Sequence, residues 1–241
     1  MKNKLIIALL VCSPMLAWAH GYWLEVPSVA TKGSPLTIKM FYGEYASQIK
    51  EVGNRLDKMS DIKISVIAPD GSKKEIAMTQ AQTHWEGSYT PVADGHYQVV
   101  GLNDTREVQD WVKHKLGITR PIQYLRTQFA VGNTEQANNY ASLFLDVRSQ
   151  INANNVELYA VKDGKPMEKT KIRIVNPDGW FQDKFANAIG FVSVIPNKEG
   201  LYLVEIEWID PTPGTFNGKN YETIRHKCDV TLTSKDMSIK F

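Results

Sequence analysis

The sequence predicts an all-β protein, two tandem β-sandwich domains behind an export signal. Apolar and polar residues alternate through many short segments, each bounded by Gly, Pro, Asn or Asp. One block recurs: Ile64-Ser65-Val66-Ile67-Ala68-Pro69-Asp70-Gly71 returns as Ile172-Arg173-Ile174-Val175-Asn176-Pro177-Asp178-Gly179. A second block recurs in the same order, with Pro91, Gly95, Tyr97 and Val99 returning as Pro196, Gly200, Tyr202 and Val204. Two matched motifs in one order predict two domains of related topology.

The elements follow in chain order. Lys2 and Lys4 precede an apolar run over 5–11 and then Ala17-Trp18-Ala19. This is the layout of a signal peptide cut after Ala19, so residues 1–19 are expected to be removed on export to the periplasm. The run is too short to span a bilayer, which takes about 20 apolar residues. Val11 is too bulky to precede a lipidated Cys12. After His20 come strands over 36–42, 62–67, 75–79, 85–90, 97–100 and 123–131. Ile62, Ile64 and Val66 share one face, and Pro69-Asp70-Gly71 turns the chain back. A second set covers 141–147, 155–161, 171–175, 191–195, 201–206 and 227–232. Only 46–59 and 105–116 carry helical spacing, the latter through Val108, Trp111, Val112 and Lys115. Gly132 to Ala137 interrupts the strand pattern. The expected domains are therefore 20–134 and 135–241.

Composition bounds the function. With 43% hydrophobic and 22% charged residues the chain is globular rather than disordered. Its formal charge of +2 resides in Lys2 and Lys4, so the processed chain is neutral and lacks the basic footprint of a nucleic-acid binder. No second long apolar run exists, so no transmembrane segment is expected after processing. Of the two cysteines, Cys12 leaves with the signal, and Cys228 has no internal partner for a disulfide.

Processing would make His20 the first residue. A terminal histidine offers its α-amine and a ring nitrogen together, and both are readily freed of protons near neutrality. That pair suits Ni²⁺ or Cu²⁺ and needs further ligands. A simple up-and-down strand count brings His84 and His114 to the end where His20 begins and sends His96 to the other. His20, His84 and His114 are thus the expected metal ligands. Competing readings are an exposed terminal residue for His20, a strand cap for His84 and a solvated basic patch for Lys113-His114-Lys115. Glu44 and Glu86 lie at the same end, as ligands, as bases or, the favoured reading, as solvated carboxylates. His226 shares an inward face with Cys228, Val230 and Leu232 by period two; a thiolate and an imidazole so placed can bind metal, but a buried thiol with a histidine at the rim is the favoured reading.

No catalytic signature is present: G-x-S-x-G, H-E-x-x-H, the P-loop and the dinucleotide fingerprint are all missing from the sequence. Exposed tryptophans could bind carbohydrate, with Trp23, Trp85 and Trp111 as candidates, although Trp23 and Trp85 are expected to pack in cores.

The start His20-Gly21-Tyr22-Trp23-Leu24-Glu25-Val26-Pro27 resembles the exported DUF4198 family, as do Gly33, Pro35, Tyr42-Gly43, the 190–202 stretch and the closing 221–232 segment. His226-Lys227-Cys228 departs from that family's usual ending. The resemblance implies immunoglobulin-like or transthyretin-like β domains and a periplasmic accessory role in nickel or cobalt uptake, beside a membrane metal transporter. It carries over to His20. The expected role is therefore binding rather than catalysis, with Ni²⁺, or else Co²⁺ or Cu²⁺, as the ion. Two alternatives stand beside it. One is a structural, adhesive or ligand-binding β-sandwich without metal. The other is a copper-dependent lytic polysaccharide monooxygenase, which His20-Gly21-Tyr22 resembles but the two-domain repeat and Leu24-Glu25 do not.

Overall fold

The computed structural model describes residues 20–132, 142–152 and 155–234. The expected signal segment, 1–19, and the expected domain boundary at 134/135 lie outside them. Strand occupies 59% of the described residues and helix 5%, and the protein is an all-β sandwich.

The first repeat contains β1 (Gly21–Glu25), β2 (Leu36–Glu44), β3 (Lys63–Ile67), β4 (Lys73–Ile76), β5 (Trp85–Tyr89), β6 (Gly95–Asn103) and β7 (Gly117–Val131). The second contains β8 (Leu145–Asn152), β9 (Asn155–Lys162), β10 (Lys171–Val175), β11 (Phe181–Phe185), β12 (Phe191–Val194), β13 (Leu201–Asp210) and β14 (Thr223–Thr233). One continuous sheet runs through both repeats in the order β11-β10-β13-β14-β7-β6-β3-β4. Its middle is the parallel pair β7–β14, from Thr119 opposite Thr223 to Arg126 opposite Val230. Smaller sheets β1-β2-β5 and β8-β9-β12 cover it.

Side-chain alternation puts the two cores on opposite faces of the shared sheet. Leu125, Phe129 and Val131 of β7 join Leu24, Ile38, Met40, Ile64 and Val66 in one core. Tyr124 of the same strand joins Leu158, Ile174, Val204, Cys228, Val230 and Leu232 in the other. A third cluster bridges the repeats, with Trp23 and Phe41 packed on Val175 and Leu203.

The repeat seen in the sequence is repeated in register. Val66 lies opposite Val99, and Ile174 opposite Val204. Val66 also pairs with Lys74, and Ile174 with Gln182, across the two Pro-Asp-Gly turns. Tyr97 donates its hydroxyl to Ala93 O at 2.8 Å, and Tyr202 donates to Lys198 O at 3.0 Å, which pins the same corner in each repeat. Gly95 and Gly200 have φ of +134° and +132°, and a Cβ would press within 2.6 Å of Pro69 or 2.9 Å of Pro177. Glycine recurs there because the turn's proline fills the space.

Neither expected helix forms. Over 46–59 the chain makes a two-residue strand, Ile49–Lys50, and a 3-10 turn, Gly53–Met59. The side chains that this 3-10 turn buries, Leu56 and Met59, are three apart, the period of a 3-10 helix rather than an α-helix. Over 105–116 a short strand, Gln109–Trp111, pairs with the start of β7 and leads into the 3-10 turn Val112–His114. Sheet-edge pairing overrides the weak helical stripe.

Candidate functional site

His20 stands at the mouth of the first sandwich because Gly21 pairs with Gly43 at the end of β2. Its ring lies over Tyr42, with centroids 5.3 Å apart. The backbone N–H of Glu51 donates to Tyr42 O at 2.8 Å, which folds the 45–50 turn back and returns Glu51 to the histidine. Nε2 of His20 lies 2.7 Å from Glu51 Oε1, and Nδ1 lies 3.8 Å from Glu44 Oε1. Arg55 donates to both Glu51 oxygens at 2.8 Å, and these bonds, with that from His20, hold Glu51 below the usual carboxylate range. An ionised carboxylate only accepts, so Nε2 carries the proton that it shares with Glu51. In the neutral ring the lone pair then sits on Nδ1, facing Glu44. Nδ1 is also the ring nitrogen that closes a six-membered chelate with the histidine's own main-chain nitrogen.

Cations border this mouth. The Lys58 ammonium sits 3.7 Å from the centre of the Tyr42 ring. Burial raises the phenols of Tyr22 and Tyr42 above their ordinary range, although Arg106 pulls both down. Beneath Gly21 lies Lys227, 2.7 Å from Glu205 and 3.0 Å from Asp229. Burial pushes Asp229 up to about 6 against the pull of Lys227; burial also raises Glu205, but Lys227 and Arg173 outweigh it and lower that carboxyl. The lysine charge is thus compensated within its own cluster.

The structure does not bring the three expected histidines together. Phe41 and Tyr42 are consecutive on β2 and point to opposite faces of its sheet. His20 packs on Tyr42, whereas His84 packs on Phe41, with ring centroids 5.2 Å apart. His84 lies between Thr83 Oγ1 at 3.0 Å and Glu86 at 3.1 Å. The up-and-down count located the correct end of the sandwich, but not the face. His114 closes a separate exposed turn at the β7 hairpin, between Lys113 and Lys115. His96 follows Gly95, beside the Pro69 turn at the opposite end. Among the described residues no group of three or more His, Cys, Asp and Glu side chains stands at metal-binding spacing. What gathers at His20 is one imidazole, its main-chain nitrogen and the Glu44 and Glu51 carboxylates. The sequence reading missed Glu51, since only the folded 45–50 turn reveals it.

Cys228 is buried in the second core, and burial pushes its thiol well up. His226 sits at that core's rim, stacked on Tyr124. Burial lowers its pKa to about 4.

A family model described as "Domain of unknown function (DUF4198)" matches residues 17–210. The chain belongs to the DUF4198 family. The match includes His20 and both tyrosine corners and ends at Asp210, before β14. No curated protein matches this DUF4198 chain. Among solved structures it is similar to a DUF4785 family protein from Legionella pneumophila, at 10% identity and TM-score 0.30, over 76% of this chain and 51% of that one. It therefore spans about half of that protein. A native alpha-2-macroglobulin fragment from Escherichia coli matches at 11% identity and TM-score 0.24, over 91% and 99% of the two chains. A two-domain fibronectin type III segment of chicken tenascin matches at 11% identity and TM-score 0.24, over 87% and 97%.

Proposed function

We propose that the processed protein is a periplasmic binder of Ni²⁺, with Co²⁺ or Cu²⁺ as alternative ions, that serves a membrane uptake system. The ion is cargo, held by the α-amine and Nδ1 of His20 with Glu44 as a further ligand. One observation carries the reading: Glu51 holds Nε2 of His20 at 2.7 Å while Nδ1 is left facing Glu44. A carboxylate on the outer ring N–H is the usual support for a metal-binding imidazole, since it fixes the tautomer and raises ligand basicity. Nitrogen and oxygen donors suit a divalent ion of this group. His84 and His114 take no part.

Calorimetric titration with Ni²⁺ tests this. The chain beginning at His20 should bind at least tenfold more tightly than one retaining Ala19, because an amide nitrogen replaces the amine in the longer chain. Glu51→Gln should weaken binding by about 10- to 100-fold, the usual effect of losing such a support. His84→Ala and His114→Ala should leave it unchanged. Equal affinity of the processed and extended chains would refute the chelate and leave His20–Glu51 as an ion pair that closes the sandwich mouth.

A further inference from the structure

The second repeat carries an exposed aromatic that its turn does not require. Trp180 is 78% exposed, although its backbone is firmly held. Its N–H donates to Asn176 Oδ1 at 2.9 Å, and its carbonyl accepts from Asn176 N at 2.8 Å. The first repeat supplies an internal control. There Ala68 N donates to Ser72 O at 2.9 Å across the matching Pro-Asp-Gly turn. The same turn closes equally well with Ser72-Lys73 where the second repeat has Trp180-Phe181. Folding therefore does not account for the indole, and exposing it leaves a large apolar surface in water.

Trp180 borders a cleft of about 290 Å³ at the open end of the second sandwich, between β11 and β12. Apolar walls come from Phe181 and from Ile195, itself 69% exposed. Polar groups come from Gln182, Asn197, Asp178 and Lys198. Asp178 and Lys198 pair at 2.9 Å, so the cleft has no net charge to attract an ion. Its volume lies at the bottom of the range for small-molecule sites, about 300–1,000 Å³, which favours one ring-sized unit over a protein face.

We propose that this cleft binds a neutral pyranose unit of a glycan. A pyranose has an apolar C–H face and a rim of hydroxyls. The indole offers a flat face for the former, and the amide and charged groups offer donors and acceptors for the latter. The argument is independent of His20 and does not need the metal site.

The test is calorimetric titration of the processed chain with hexasaccharides of β-1,4-glucose, β-1,4-N-acetylglucosamine and α-1,4-glucose. At least one should bind with a dissociation constant below 10 mM. Trp180→Ser, which installs the residue of the first repeat, should weaken that binding at least tenfold with an unchanged unfolding midpoint. Asn197→Ala should weaken it severalfold. Ser72→Trp should leave it unaltered. Failure of all three sugars to bind overturns the proposal, as does binding that survives Trp180→Ser. If an extended Val-Thr hexapeptide binds and no sugar does, the open edge of β11 is a strand-addition site instead and the proposal fails.

Discussion

His226 lies 5.1 Å from Trp208 and 5.0 Å from Phe144, ring centre to ring centre, with Nδ1 3.0 Å from the Tyr124 hydroxyl. Burial drives its pKa to about 4; Arg120 and Lys162 push the same way, and only Asp210 opposes them. The unfolded chain takes up the proton near pH 6.5. The stability contributed by neutral His226 is therefore complete above about pH 6.5 and is lost as pH falls toward about 4. Asp229 has the opposite sign, because its raised carboxyl favours folding as pH falls through about 6. Comparison with a variant separates them. Urea unfolding at pH 7 and pH 4.5 should show wild type losing stability relative to His226→Gln, and parallel profiles would refute this. Arg126 and Asp146 show the contrasting solution. Both are fully buried, yet Arg126 Nε donates to Asp146 at 2.8 Å, and the carboxylate also accepts from Val147 N and Ser142 N. A paired and hydrogen-bonded charge is tolerated where a lone imidazolium is not.

At the scale of elements, the Pro-Asp-Gly turns are the clearest link between sequence and structure. Gly71 and Gly179 occupy equivalent turn positions with φ of +82° and +85°. Their surroundings differ. A Cβ at Gly71 meets nothing within 4 Å, whereas one at Gly179 overlaps the Ala46 carbonyl of the first repeat. Gly71→Ala should therefore cost about 1–2 kcal/mol, the price of the left-handed backbone alone. Gly179→Ala should cost more, because the turn must also withdraw from Ala46. Guanidinium midpoints of the two variants compare them directly, and equal losses would show that the Ala46 contact contributes nothing. The 46–59 segment gives the complementary lesson. Its helical reading failed because the 45–50 turn folds back on β2 to return Glu51 to the site, a contact invisible in local periodicity.

At the scale of the whole molecule, the repeats share a sheet rather than merely adjoining. β7 pairs with β14 over eight positions, from Thr119–Thr223 to Arg126–Val230. β1 crosses to the second repeat, where Thr231 Oγ1 donates to Leu24 O at 2.7 Å. β8 crosses the other way, where Arg126 reaches Asp146 and the Val147 carbonyl. Either repeat alone would expose these groups. We therefore expect one cooperative thermal transition, with matching calorimetric and van't Hoff enthalpies. Trp23→Ala, in the bridging cluster, should destabilise that single transition by about 3–5 kcal/mol. Two resolved transitions would refute the coupling.

The sequence alone determined the all-β class, the two repeats, their corner tyrosines and the inward face of Cys228, Val230 and Leu232. These follow from strand period and turn chemistry, which act over a few residues. It also singled out His20 and Glu44, since the residue that would follow the signal is legible without a fold. Only the tertiary structure decided that His84 faces away from His20, that Glu51 returns to it, and that Trp180 is exposed. Those outcomes depend on which strand edges meet and on how the repeats cross. Both are fixed by pairing between residues far apart in the chain, about which local spacing carries no information.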